Sequence, residues 1–543
     1  MDMTGAQILL EGLVREGTER IFGYAGATIC PIADALRDHP DLDYTLVRTE
    51  QNAGHMASGY ARVTGKTGVC LVTSGPGATN LITGIATAYM DSIPMVAITG
   101  QVPSNLIGRD IFQEVDITGA VTPFTKHCYL VKDAVQLPQV LKEAFHIAST
   151  GRPGPVLIDI PIDVQEQLVS DVVFPEEVRI RGYNPSVRGN DKQIANVALA
   201  IGVAQRPVIC AGGGVFLAHA EEELRTFAGT AGIPVITTMM GLSLLPTEHP
   251  LNMGMIGAHG NTTANKALAK SDLLIMIGTR VADRAIVSPG EIQKRMANIH
   301  IDVDPAEIGK NMQSTLPLVG DAKVILRQLM EKGVQAHCDE WRENLQVYRK
   351  QNLSRGYPVK EGCVFPGRLL RLLGEKLDTD AAICADVGQN QIWACKHLRL
   401  RGARFLTSGG LGTMGYAIPC AIGVKTAQRS RQVVAVCGDG SFQMSMNELA
   451  AVKAHGLDLK IVLLRNGVLG LVHQIQGKEP YHGPFGVNLE GDPDFAAIAG
   501  AYGIPCLPLW EEDKVEETLD RFLAEKGPCL LLAEVSPAWK TTD

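Results

Sequence analysis

The chain has 543 residues, enough for about three domains at roughly 100–200 residues each. Its 45% hydrophobic and 20% charged composition is that of a globular protein, and its 57 glycines favour an α/β fold with many tight strand-to-helix turns. A net charge of −8 and 5% aromatic residues give neither a basic footprint nor many stacking surfaces, which argues against a nucleic-acid partner.

In chain order, the spacing predicts a helix over 4–16, a strand over 20–24 and a strand over 44–47 that runs into Arg48-Thr49-Glu50-Gln51. A helix over 53–62 follows, then an apolar strand over 69–73 ending in Gly75-Pro76-Gly77. A helix to about 90, a strand over 95–99 and a last strand over 153–161 complete a first unit, 1–165. Residues 166–190 are polar and proline-bearing and read as a linker. A second unit, 190–335, has strands over 207–210, 273–277 and 298–303, the first two ending in glycines. A charged helix over about 339–355 bridges to a third unit, 360–543, with strands over 381–385, 433–437, 460–464 and 529–535. Near-continuous apolar runs of this kind suit parallel strands buried on both faces.

The twelve cysteines form no Cys-x-x-Cys pair, so reduced buried thiols are expected rather than zinc or a redox pair. The first residues carry no basic segment followed by an apolar one, and no apolar run approaches the ~20 residues of a bilayer span. A cytoplasmic protein without membrane partners is the expectation.

Gly438-Asp439-Gly440-Ser441 follows the strand at 433–437, and Arg465-Asn466-Gly467 follows the strand at 460–464. A crossover helix over 446–455 fills the interval, so Asp439 and Asn466 should lie at the carboxyl ends of neighbouring strands. Mg²⁺ favours hard oxygen ligands shared with phosphate. Asp439 offers a carboxylate, Asn466 an amide oxygen, and the carbonyl of Val468 a third donor. The pattern resembles the thiamin-diphosphate motif. Glu50, at a strand-to-helix turn, reads on its own more readily as a helix-cap charge. The resemblance implies a different role: hydrogen bonding to the cofactor's aminopyrimidine, across the interface of an obligate dimer.

An ordered set of motifs narrows the resemblance. Thr73-Ser74-Gly75-Pro76-Gly77-Ala78-Thr79-Asn80, Asp91-Ser92-Ile93-Pro94, Phe112-Gln113-Glu114, Gly151-Arg152-Pro153-Gly154-Pro155, Asp302-Val303-Asp304-Pro305 and Gly410-Leu411-Gly412-Thr413-Met414-Gly415 occur in sequence. Over essentially the whole chain they resemble the catalytic subunit of acetohydroxyacid (acetolactate) synthase. The resemblance implies three doubly wound parallel-sheet α/β domains: pyrimidine-binding, central FAD-type and diphosphate-binding. It implies thiamin diphosphate, Mg²⁺ and a non-redox FAD as cofactors. Met414 would hold the cofactor bent, and Ser92, Gln389, Asn390, Gly412, Gly440, Ser441 and Leu471 would contact it. Gln113 and Phe112 would line the active site, and Arg284 would meet the carboxylate of a second 2-ketoacid. The flavin positions would be Arg152, Gly213, Thr238, Met239, Gly257, His259, Gly278, Arg280, Asp302 and Asp321. The implied activity is decarboxylation of a 2-ketoacid, pyruvate, with ligation of the two-carbon fragment to a second carbonyl. The implied assembly is a homodimer or homotetramer, with room for a regulatory subunit.

The sequence departs from the family at Ala27, Thr49, Ile162, Ala258, Ala282 and Ile475, where the family has Gly, His, Lys, Met, Asp and Trp, and it ends at Asp543 without the longer proline-containing tail. By the resemblance, these departures gather where the second substrate would enter, and replacing the family's Trp by Ile475 would remove a flat wall and weaken selection among acceptors. A decarboxylase, a ligase for another acceptor and an oxidase-like flavoenzyme are therefore alternatives, with a non-enzymatic binding protein as the outside class.

Overall fold

The computed structural model describes residues 2–352, 357 and 359–542. The apolar runs become parallel strands, gathered into three six-stranded sheets. The first has the order Asp43–Leu46, Arg20–Tyr24, Gly68–Val72, Met95–Gln101, Pro155–Pro161, His127–Leu130. The second has Asn252–Met255, Val235–Thr237, Pro207–Ala211, Leu273–Ile277, Ala297–Asp302, Leu316–Val319. The third has Arg404–Thr407, Ala382–Ala385, Val433–Gly438, Lys460–Arg465, Cys529–Glu534, Cys506–Leu509. Neighbouring strands within each sheet are parallel, and helices cover the faces. Each sheet has a point where the strand order reverses, between Arg20–Tyr24 and Gly68–Val72, Pro207–Ala211 and Leu273–Ile277, and Ala382–Ala385 and Val433–Gly438, and open α/β sheets bind ligands beyond the strand ends at such points.

Several elements differ from the sequence expectations. His127–Leu130, Val235–Thr237, Asn252–Met255, Leu316–Val319, Arg404–Thr407 and Cys506–Leu509 are strands that the apolar pattern does not announce. All but Val235–Thr237 lie at sheet edges, where a strand can be short and can carry proline, as Pro317 and Pro508 do. Within the expected linker, Leu168–Val169 pairs antiparallel with Met3–Thr4; a two-residue pairing carries no periodic signal. The bridging helix runs Asp339–Asn352, and positions 353–355 of the expected element lie outside the described residues. The expected crossover helix at 446–455 is instead a 3₁₀ turn, Met446–Glu448, followed by a helix at Leu449–Ala454, with Glu448 at φ −74° and ψ −6° between them. The helix expected at 53–62 begins earlier, with Glu50 as its first residue after the extended Thr49.

The first and third sheets are not separate bodies. One buried cluster runs from Phe22, Met56 and Leu81 to Tyr416, Ile418, Val452 and Ile461. Its centre is the crossing of the Glu50–Thr64 helix with the Ala417–Ala427 helix. A Cβ at Gly59 would overlap the carbonyl oxygen of Cys420, and one at Gly423 would lie 2.7 Å from the carbonyl carbon of Met56. Only glycine lets the two backbones approach this closely. Beside the crossing, Arg62 donates to Asp91 at 2.6 Å in a fully buried ion pair and lies over the ring of Tyr416.

Candidate functional site

Strand Val433–Gly438 delivers Asp439 to the first position of helix Asp439–Gln443, and the adjacent parallel strand Lys460–Arg465 delivers Asn466. The Asp439 carboxylate is buried and satisfied by backbone donors. It accepts from Gly440 N at 2.9 Å, Asn466 N at 2.8 Å and Gly467 N at 2.6 Å. Burial pushes its carboxyl upward, and those three N–H groups oppose the shift. The side chain of Asn466 donates to Gln389 Oε1 at 3.3 Å and accepts from Val468 N at 3.1 Å. A Cβ at Gly440 would meet Leu469 at 2.9 Å and the Met414 methyl at 3.5 Å, so Met414 lies against the glycine of the loop. Asn390 donates to the Asp386 carbonyl at 2.7 Å, and the hydroxyl of Ser441 closes its own turn on Gly438.

The donor set fits the implied metal. It is all oxygen: one carboxylate, one amide and a loop carbonyl at Val468. The glycines at 438 and 440 and the helix start at Asp439 leave backbone open to a diphosphate.

Glu50 sits at the other sheet. One carboxylate oxygen accepts from Asn80 Nδ2 at 3.0 Å, and a Cβ at Gly77 would lie 3.4 Å from the other. Gln113 lies against Gly75 with φ 62°, a left-handed backbone costly for any residue with a side chain. Its neighbour Phe112 is 87% exposed, although large apolar side chains are ordinarily covered.

A cleft of about 1120 Å³ lies at the switch point of the central sheet. Of the flavin positions, Arg152, Gly213, Thr238, Met239, His259, Gly278, Arg280, Asp302 and Asp321 line it. Gly257 does not; a Cβ there would strike the Arg284 carbonyl, so this glycine shapes the neighbouring loop. Ser92, Gly412, Leu471 and Arg284 line the same cleft. Arg152 donates to Ser92 Oγ at 2.9 Å and pairs with Glu307 at 2.8 Å and Asp304 at 3.2 Å. Burial pushes Asp302 up to about 6. The space and the glycine floor, where a Cβ at Gly214 would sit 2.7 Å from Gly278 Cα, fit a dinucleotide.

Sequence reasoning missed the carboxylates that hold these parts. Asp386, fully buried and pushed up to about 6, accepts from Gly415 N and Ala417 N at 2.9 Å and so fixes one flank of Met414. Asp91 fixes the other flank through Gly410 N at 2.7 Å. Glu448, also fully buried, accepts from Arg48 N at 2.8 Å. Asp386 had a readable signal, a lone acid at the end of an apolar strand like Asp439. The other two act across domains and leave no local pattern. The segment 539–541 was missed as well: the Trp539 carbonyl accepts from Gln389 at 3.0 Å, and Thr541 N donates to Gln474.

Three parallel-sheet domains, with an oxygen-donor loop at the switch end of the third and a glutamate at the first, define a thiamin-diphosphate enzyme. Family models agree: thiamine pyrophosphate enzyme N-terminal TPP binding domain over residues 3–120, central domain over 194–329 and C-terminal TPP binding domain over 386–533. The chain is 41% identical to a probable acetolactate synthase large subunit of Methanococcus aeolicus, across 99% of this chain and 92% of that one. It is 44% identical to the acetolactate synthase large subunit of Corynebacterium glutamicum, across 94% and 83% of the two chains. It is 41% identical to the acetolactate synthase of Arthrospira platensis, across 98% and 94%. The chain belongs to the acetolactate synthase large-subunit family.

Proposed function

We propose that this protein decarboxylates pyruvate and ligates the remaining two-carbon unit to a second pyruvate, forming 2-acetolactate. The observation that carries the reading is the Asp439–Asn466 pair, joined through backbone at 2.8 Å on adjacent strands, within a chain related to acetolactate synthases along nearly its full length. Bound thiamin diphosphate supplies the thiazolium that takes up the negative charge left by loss of CO₂. Asp439, Asn466 and the Val468 carbonyl hold Mg²⁺, while Gln389, Asn390, Gly412, Gly440, Ser441 and Leu471 face the cofactor. Met414 props it from its apolar side. Glu50 would hydrogen-bond the aminopyrimidine. Phe112 and Gln113 enclose the reacting end, and the Arg284 guanidinium, 74% exposed, is available to an incoming carboxylate.

The active unit in this reading is a dimer. Among the described residues, the hydrogen-bond partner of the Glu50 side chain is Asn80 and not the metal loop. Phe112, beside the Glu50 end, and Phe485, after the metal loop, are 87% and 89% exposed. The reading places each Glu50 at the other copy's metal loop. The central cleft holds FAD in a structural role. The relatives named large subunits suggest a smaller companion chain. Among the described residues, no helix is long and apolar enough to cross a membrane.

The test is mass-spectrometric product analysis with pyruvate, Mg²⁺ and thiamin diphosphate. 2-Acetolactate is the expected product. Acetaldehyde alone, or ligation seen only with other acceptors, would overturn the choice of acceptor. Flavin released on denaturing the purified protein supports the FAD assignment, and its absence after growth with ample riboflavin counts against it.

A further inference from the structure

The helix that carries Glu50 lacks its own cap. Thr49 stands at the capping position with extended backbone, where a threonine hydroxyl ordinarily accepts from the second or third helical N–H. It makes no such bond. Its hydroxyl instead accepts from Asn447 Nδ2 at 3.0 Å. The next residue, Glu448, is fully buried, and its Oε1 accepts from Arg48 N at 2.8 Å and from Asn52 Nδ2 at 2.9 Å. Glu448 Oε2 is also buried, with no hydrogen-bond partner among the described residues. The residues on both sides of Glu50 are therefore held by two consecutive side chains from another domain.

Asn447 and Glu448 end the 3₁₀ turn Met446–Glu448, which follows the helix that Asp439 begins. The same short segment thus starts at the metal loop and finishes at the helix start of Glu50. In this chain position 49 is threonine, and its hydroxyl is what meets Asn447.

We infer that Glu448 is a positioning residue: with Asn447 it sets the start of the Glu50 helix, and through it the aim of the Glu50 carboxylate. The inference rests on the reading of Glu50 as the group that activates the aminopyrimidine. Glu448 touches neither cofactor nor substrate. Its loss should slow activation of the cofactor while leaving Mg²⁺ and diphosphate binding in place.

The experiment follows exchange of the thiazolium C2 proton in D₂O on holoenzyme, by quenched-flow NMR, for wild type, Glu50→Gln, Glu448→Ala and Glu448→Gln. A displacement of a catalytic group by about 1 Å can cost about 100-fold, so Glu448→Ala should exchange at least about 10-fold more slowly than wild type. Its Mg²⁺-dependent cofactor affinity and its KM for pyruvate should stay within about threefold, the split expected when only activation is lost. Glu448→Gln keeps an oxygen for Arg48 and Asn52 and should exchange close to the wild-type rate. Exchange at the wild-type rate in Glu448→Ala, with Glu50→Gln slow, would overturn the inference. Exchange at the wild-type rate in Glu50→Gln would overturn the reading of Glu50 instead. If Glu448→Ala does not fold, Asn447→Ala, at a half-buried site, releases the Thr49 hydroxyl; slowed exchange supports the inference and an unchanged rate overturns it.

Discussion

Replacing Asp439 by Asn tests the metal loop with almost no change in shape. In the native loop one carboxylate oxygen accepts from Gly440 N, and the other accepts from both Asn466 N and Gly467 N. Asparagine has a single oxygen. If that oxygen serves Asn466 and Gly467, its NH₂ faces the N–H of Gly440; if it is turned around, the NH₂ faces two donors. Either way a charge-assisted bond is lost and two donors oppose each other in a buried place, a cost of about 2–4 kcal/mol. The ligand charge facing Mg²⁺ is lost as well. If about 2 kcal/mol of this falls on the bound state, the Kd for thiamin diphosphate at fixed Mg²⁺ rises about 30-fold. Titration calorimetry or quenching of intrinsic fluorescence reads that number directly. A Kd within about threefold of wild type would refute the reasoning, because it would mean that neither the charge nor the three-donor cradle contributes to holding the cofactor.

Gly423→Ala places a methyl against the backbone of Met56, where no side chain can move aside, and should cost about 3 kcal/mol as a lowered urea midpoint; an unchanged midpoint would contradict the close crossing. Asp91→Asn leaves the Arg62 guanidinium buried without its counter-charge and should lower stability by about 3–5 kcal/mol, with weaker cofactor binding because the Gly409–Gly410 turn loosens. Asp159, buried between Thr99 and Gln101, has its carboxyl pushed up to about 7 by desolvation. Its folded value lies above the unfolded one, so the fold favours the protonated form, and this group's contribution to stability falls as pH rises from about 4 to about 7. Asp159→Asn should therefore gain about 1–2 kcal/mol over wild type at about pH 8 and little at about pH 4, measured by urea unfolding at each pH.

Long apolar strands announce themselves. Leu273–Ile277 was legible residue for residue, and so were the turns that carry Asp439 and Asn466, since a two-face-buried strand must be apolar and its ligand-bearing end must not be. Five of the six edge strands were not legible, Asp43–Leu46 being the exception; His127–Leu130 and Leu316–Val319, for example, are short and half wet. In the site, Glu50 was visible as an acid at a strand-to-helix turn, yet its role came from resemblance. What holds its neighbours was invisible: Glu448 lies almost four hundred positions away and meets Arg48 and Asn52 only once two domains have folded together. Asp91 has the same character, an acid inside a motif whose partners, Arg62 and Gly410, lie on different helices and loops. Local chemistry writes local patterns, and contacts between domains write none.

The glycine crossing between the Glu50 and Ala417 helices also bears on inheritance. Where two side chains meet, a change on one helix can be matched by a change on the other, and domains can drift apart and be recombined. At Gly59 and Gly423 backbone meets backbone, so nothing on either side can be traded. A chimera that takes its amino-terminal domain from one relative and its carboxyl-terminal domain from another must bring glycine to both sides at once. The two terminal domains thus constrain each other through backbone alone at this crossing, and a domain exchange that loses either glycine loses the fit.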